Sequence, residues 1–204
     1  MMKLYYMPGA CSLASRIVLE WTGASWVNEK VGHEQLHQEA YLRINPMGAV
    51  PALQVDDTII TQNSGILTYL AEAFPKARLG GGETPLGKAE VHRWLGFINS
   101  DIHPTFKPFF GSTSFLGDDT MIEKTRTEAR RLLRNMFEII DRQLKGRDWI
   151  AGERSIADAY LFVVLGWTKG VGVDLSGFDQ ITRFVERMNQ DPGVQRALQF
   201  EKQA

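Results

Sequence analysis

The spacing of apolar positions changes character near residue 80. Before it, short apolar runs alternate with helical ones. Leu4, Tyr5 and Tyr6 form a run that stops at Pro8-Gly9, and Leu13, Ala14, Ile17, Val18 and Trp21 then recur at helical spacing up to a stop at Gly23. Trp26 to Val31 reads as a second strand, and residues 32–44 as a looser, partly helical segment. A turn with two prolines and a glycine, Asn45 to Pro51, leads into Ala52-Leu53-Gln54-Val55, and Asp56-Asp57 turns that strand back into Thr58-Ile59-Ile60-Thr61. Ile66, Leu67, Leu70, Ala71 and Phe74 then predict a helix ending near Pro75. From Ala77 to Pro85 the chain is polar and centred on Gly80-Gly81-Gly82. Beyond it every periodic segment is helical: Trp94, Leu95, Ile98 and Ile102 on one helix, and Ala129, Leu132, Leu133, Met136, Ile139, Ile140 and Leu144 on a longer one. Ser155-Ile156-Ala157-Asp158 opens a strongly apolar helix through Trp167, and Asp191-Pro192 opens a short last one.

The order β-α-β-(α)-β-β-α is that of a thioredoxin-like domain, so the predicted class is α/β plus all-α. A thioredoxin-like domain with a mixed four-stranded sheet is expected over 1–77, a linker over 78–86, and an all-α helical bundle over 87–204. At 204 residues, 44% hydrophobic, the chain can bury a full core. A net charge of -1 argues against a nucleic-acid partner or a polybasic membrane anchor. The longest apolar run, Ala159 to Trp167, is far short of the ~20 residues that span a bilayer. The strand pattern begins at once after Met1, so no secretory leader is expected, and a single cysteine suits a reducing compartment. The expected setting is cytoplasmic.

That cysteine, Cys11, stands where the first strand turns into the first helix. Free N–H groups and the positive helix end favour a thiolate there, with a pKa in the range of roughly 3.5–7.5. A buried, inert thiol fits the same composition. Redox domains of this fold commonly carry C-x-x-C at this point, whereas Cys11-Ser12-Leu13-Ala14 has no second cysteine to resolve a mixed disulfide. A small external thiol must do so, and glutathione is the cellular candidate. A cis Val50-Pro51 bond entering a strand would turn the Val50 N–H and C=O toward a peptide-like ligand, though a trans turn proline fits the sequence equally. Gln62-Asn63-Ser64 opens a helix and suits a ligand carboxylate, with simple capping as the alternative. His33 and His37 are four apart but lack a third ligand, so no metal is expected.

Four blocks, in this order and spacing, resemble the glutathione S-transferases along the whole chain, most closely the bacterial, cysteine-containing beta class. They are Tyr6-x-Pro8-Gly9-Ala10-Cys11-Ser12-Leu13-Ala14, Asn45-Pro46-x-Gly48-x-Val50-Pro51-Ala52-Leu53, Gln62-Asn63-Ser64-Gly65-Ile66-Leu67-x-Tyr69-Leu70-Ala71, and Ser155-Ile156-Ala157-Asp158-Ala159-Tyr160-Leu161. The resemblance implies that Cys11 contacts the glutathione sulfur, that Val50 ahead of a cis Pro51 pairs with the cysteinyl backbone, and that Gln62 and Asn63 hold the γ-glutamyl group. It implies that His103 faces the thiol and Tyr6 lies near the site, although on spacing alone His103 fits a surface and Tyr6 the core. Ser155 and Asp158 match the family's N-capping box, a stabilising rather than catalytic pair. Arg16, Gly96, Pro104 and Gln62 depart from the beta pattern, Gly96 standing where an asparagine often reaches glutathione. The function implied is a homodimeric transferase that adds glutathione to small hydrophobic electrophiles and, through Cys11, reduces disulfides. Its electrophile pocket is expected beside His103, Phe106, Phe109, Phe110 and Trp167. The alternatives are a glutathione- or hydrophobe-binding protein with little turnover, or a dedicated isomerase or reductase.

Overall fold

A computed structural model describes residues 1–203. Its sheet holds β1 (Met2–Tyr6), β2 (Trp26–Lys30), β3 (Ala52–Val55) and β4 (Thr58–Thr61) in the order β2-β1-β3-β4. β1 runs parallel to β2, so the chain needs a crossover, which α1 (Ser12–Thr22) supplies before stopping at Gly23 with φ 67. β3 is antiparallel to β1, with Leu4 opposite Leu53, and β4 is antiparallel to β3. Side chains alternate across the strands. Leu4, Tyr6 and Leu53 enter the main core, while Tyr5 and Ala52 join Val31, Leu36 and Tyr41 in a small cluster on the other face. That cluster is closed by the segment expected to be loosely helical, a 3₁₀ turn at Gln35–His37 and α2 (Glu39–Leu42). α3 (Asn63–Ala73) follows the hairpin as expected.

The helical half comprises α4 (Pro85–Phe97), α5 (His103–Thr105), α6 (Asp119–Gln143), α7 (Ile156–Val171), α8 (Asp179–Gln190) and α9 (Pro192–Gln203). α4 starts inside the stretch expected as linker. The Thr84 side chain accepts from the Gly87 N–H at 3.0 Å and Pro85 occupies the first helical position, which together fix the start. Gly81 and Gly87 must both be glycine, because a Cβ on Gly81 would lie 2.2 Å from the Gly87 carbonyl oxygen.

Two differences from the sequence-based expectation concern helices. The helix expected through Trp94 and Ile102 changes its winding, with a π-helical turn at Ile98–Ile102 between α4 and α5. α8 was not anticipated at all, although Ile181, Phe184, Val185 and Met188 have the required spacing. One connected core runs through both halves, from Ile17 and Leu67 to Leu95, Phe137, Leu161 and Phe184. α1 lies at its centre, packed on α3, α7 and α9. The start of α1, and with it Cys11, is therefore set by contacts from both halves. Among the described residues no helix is long and apolar enough to cross a membrane.

Candidate active site

A cavity of about 310 Å³ opens between the two halves at the start of α1. Cys11, Val50, Pro51, Gln62, Asn63 and His103, six of the expected site residues, line it together. A larger cavity of about 560 Å³ shares none of its lining and has Glu186 as its only charged residue, so the titratable chemistry collects at the smaller one.

Cys11 is the residue immediately before α1, 9% exposed, and its Sγ–H donates to the Val50 carbonyl at 3.6 Å. Burial pushes the thiol up to about 12, against the pull of a backbone hydrogen bond at the helix start. The expected low pKa is thereby corrected. The helix end is present, but removing the thiol from water outweighs it. Cys11 is thus a protonated thiol and a hydrogen-bond donor.

The Val50-Pro51 peptide bond is cis. Ladder pairing begins only at Ala52, so Val50 lies beside the sheet, facing Cys11. Gln62 precedes α3 with φ 67 and ψ 121, a conformation that costs a non-glycine residue roughly 1–3 kcal/mol. It stands at the start of α3, whose first amides lack helical partners, and both Gln62 and Asn63 line the pocket. The Asn63 side chain is spent internally. Its Oδ1 accepts from Ser15 Oγ at 2.7 Å and its Nδ2 donates to the Cys11 carbonyl at 3.1 Å, leaving its backbone N–H as the group that can meet a ligand.

His103 stands across from Cys11, reached through the π turn. Its Nδ1 is hydrogen-bonded to the Tyr160 hydroxyl at 2.5 Å, and its ring packs edge-on to Trp167 with centroids 4.9 Å apart. Burial first, and the Lys107 charge second, lower its pKa to about 4, so the imidazole is neutral near pH 7. Burial raises the Tyr160 pKa and keeps that hydroxyl protonated, so it can give its hydrogen to Nδ1 and leave the ring's own hydrogen on Nε2.

Tyr160 and Asn99 line the pocket but were not anticipated as site residues. Tyr160 is hidden in the apolar run of α7 and shows its polar tip only in three dimensions. Gly96, which stands where the resemblance expects an asparagine, does not line the pocket; Asn99, in the π turn, does. Tyr6 is corrected in the other direction. It is 4% exposed, packs against Phe200 with centroids 5.3 Å apart, and does not line the cavity. Arg16 is also a packing residue. Its guanidinium lies 3.5 Å from the Phe200 ring centroid and donates to Asn28 Oδ1 at 2.7 Å.

Of the five residues expected around an electrophile pocket, His103 faces the Cys11 cavity and Trp167 lines the larger one. Phe106 and Phe110 pack on Trp167, with centroids 5.3 and 5.4 Å away, and Phe110 is 57% exposed. Ser155 and Asp158 form the capping box of α7 and do not line the pocket. Among the described residues no group of three His, Cys, Asp or Glu is placed to hold a metal ion.

Residues 1–72 match the family model for the glutathione S-transferase N-terminal domain, and residues 99–192 match that for the C-terminal domain. The chain belongs to the glutathione S-transferase family. It is 48% identical to a glutathione S-transferase of Xanthomonas campestris over 98% of both chains. It superposes on the glutathione S-transferase of Xylella fastidiosa with a TM-score of 0.96, at 47% identity and 99% coverage of each chain. A beta class glutathione S-transferase from Sphingomonas chungbukensis matches with a TM-score of 0.88, at 35% identity over 99% of this chain and 100% of that one. In glutathione S-transferase terms, the N-terminal domain supplies Cys11, Val50 and Gln62, and the helical half closes the pocket with Asn99, His103 and Tyr160.

Proposed function

We propose that the protein is a cytoplasmic, homodimeric glutathione transferase that holds glutathione in the Cys11 pocket and adds it to small hydrophobic electrophiles. In this reading residues 1–77 bind glutathione and 87–204 present the electrophile, with 78–86 between them. The observation that carries the reading is the protonated Cys11 thiol facing Val50 beside the open start of α3. The γ-glutamyl carboxylate meets the α3 amides at Gln62 and Asn63, and the cysteinyl backbone takes Val50. This brings the ligand sulfur to Cys11, whose S–H turns from the Val50 carbonyl to donate to it. A donated hydrogen bond favours the glutathione thiolate over the thiol. The proton it loses passes to water. Its sulfur then forms a bond to the electrophilic carbon, and the leaving group departs with its electron pair. His103, neutral and carrying its hydrogen on Nε2, is a second donor on the opposite wall.

Reduction of a glutathionyl mixed disulfide would need Cys11 itself as a thiolate, with free glutathione then releasing it. The raised pKa opposes that step, so conjugation takes precedence. Retention on a glutathione column and conjugation of a chloro-nitrobenzene test the reading, with Cys11→Ser and Cys11→Ala as variants. Serine keeps a donor, so Cys11→Ser should conjugate within about tenfold of the parent, and Cys11→Ala should fall further. Both should lose disulfide reduction. A parent protein that neither binds the column nor conjugates the substrate would overturn the proposal.

A further inference from the structure

The turn that carries Cys11 is gripped from outside its own domain. Gly9, two residues before the cysteine and at φ 77, has both of its backbone polar groups bonded to the helical half. Its N–H donates to Glu201 Oε2 of α9 at 3.0 Å, and its carbonyl accepts from Trp167 Nε1 of α7 at 2.9 Å. α9 is fixed where this contact needs it. Phe200 packs between Tyr6 and the Arg16 guanidinium, and Arg196 donates to Glu20 at 2.7 Å. The second carboxylate oxygen of Glu201 is solvent-inaccessible and has no hydrogen-bond partner. A half-buried carboxylate that leaves one oxygen unsatisfied is costly for packing alone, and its single hydrogen bond is the one to Gly9. Trp167 has a double attachment, its indole N–H on Gly9 and its ring against His103.

We infer that Glu201 is a positioning residue for the reaction, holding the Gly9 turn, together with Trp167, so that the Cys11 thiol stays against the pocket. It does not line the Cys11 cavity, and it acts through the Gly9 backbone. The catalytic consequence rests on the transferase reading above; the effect on the thiol does not. Because Cys11 is the only cysteine, its alkylation by iodoacetamide reports the turn directly. In Glu201→Ala, alkylation should quicken about fivefold and the kcat for conjugation should drop about fivefold, the worth of one such hydrogen bond. The KM for glutathione should stay within about twofold, since Val50, Gln62 and Asn63 are untouched. Glu201→Gln keeps an acceptor oxygen for Gly9 and should restore both. If Glu201→Ala does not fold, Trp167→Phe removes the other hydrogen bond and should quicken alkylation likewise. Alkylation at the parent rate in a folded Glu201→Ala or Trp167→Phe protein overturns the inference. A shifted alkylation rate in a protein with no conjugation supports the inference and overturns the transferase reading.

Discussion

The starts of α1 and α7 each bury a group that can lose a proton, Cys11 at the first and Asp158 at the second. Both lie at a positive helix end, and burial raises both pKa values, to about 12 for the thiol and to about 6 for the carboxyl. They differ in what has been built around them. Asp158 accepts from the Ile150 N–H at 2.9 Å and from the Ser155 N–H and Oγ–H, each at 2.8 Å, so both of its carboxyl oxygens have partners. Cys11 donates one long contact to Val50 and faces a cavity beside unpaired amides. A helix start is therefore no thiolate site by itself. The carboxyl with its partners in place stabilises the fold, whereas the thiol faces a cavity beside the open start of α3.

The largest effect that could break this contrast is on thiol reactivity. With a pKa near 12 and little exposure, Cys11 should react with iodoacetamide at pH 8 at least about a thousandfold more slowly than a free cysteine. A rate near the free value would mean that the helix end wins after all. Next, Asp158→Ala should lower unfolding free energy by about 3 kcal/mol in urea titration, since it strands the Ile150 and Ser155 donors at once. A cost near the ~1 kcal/mol of an ordinary cap would show that the bond to Ile150 contributes little.

The acid dependence sharpens the same point. The Asp158 pKa in the folded protein lies above its unfolded value of roughly 3.9, so its contribution to stability is full below that pH and is lost as the pH rises through about 6. Relative to Asp158→Asn, the parent should lose on the order of 2 kcal/mol between pH 4 and pH 7. A difference that grows with pH instead would mean that the three donors outweigh burial. The smallest effect is at Gln62, where Gln62→Gly should relieve the positive φ and stabilise the fold by about 1 kcal/mol, measured by thermal melting. The same change should weaken glutathione binding by removing a pocket side chain. An unchanged melting temperature would show that the conformation carries little strain.

Most of the fold was legible because the sequence punctuates it. Pro8-Gly9, Gly23, Asp56-Asp57 and Asp191-Pro192 each mark a real boundary. The capping box could be read from Ser155 and Asp158 alone, since both partners lie within one turn. What could not be read depends on groups distant in sequence. The Cys11 pKa is set by burial under both halves of the molecule, which no local motif encodes. The resemblance places Tyr6 near the site, yet Phe200, distant in sequence, packs against it, and the bond between the Tyr160 hydroxyl and His103 joins two helices that no local pattern links. Gly96 and Asn99 exchanged roles because a turn of altered winding leaves no mark in the apolar spacing.

That altered winding makes the wall opposite Cys11 sensitive to length more than to identity. Removing any one residue from Ile98–Ile102 would let α4 run on as an ordinary α-helix and rotate the residues after the turn by about 100° relative to those before it. With α4 held by its own packing, deleting Ile98 would turn Asn99 and His103 together away from the pocket, though both side chains would still be present. A single-residue deletion here would erase one wall of the site in a way that no point substitution can reproduce.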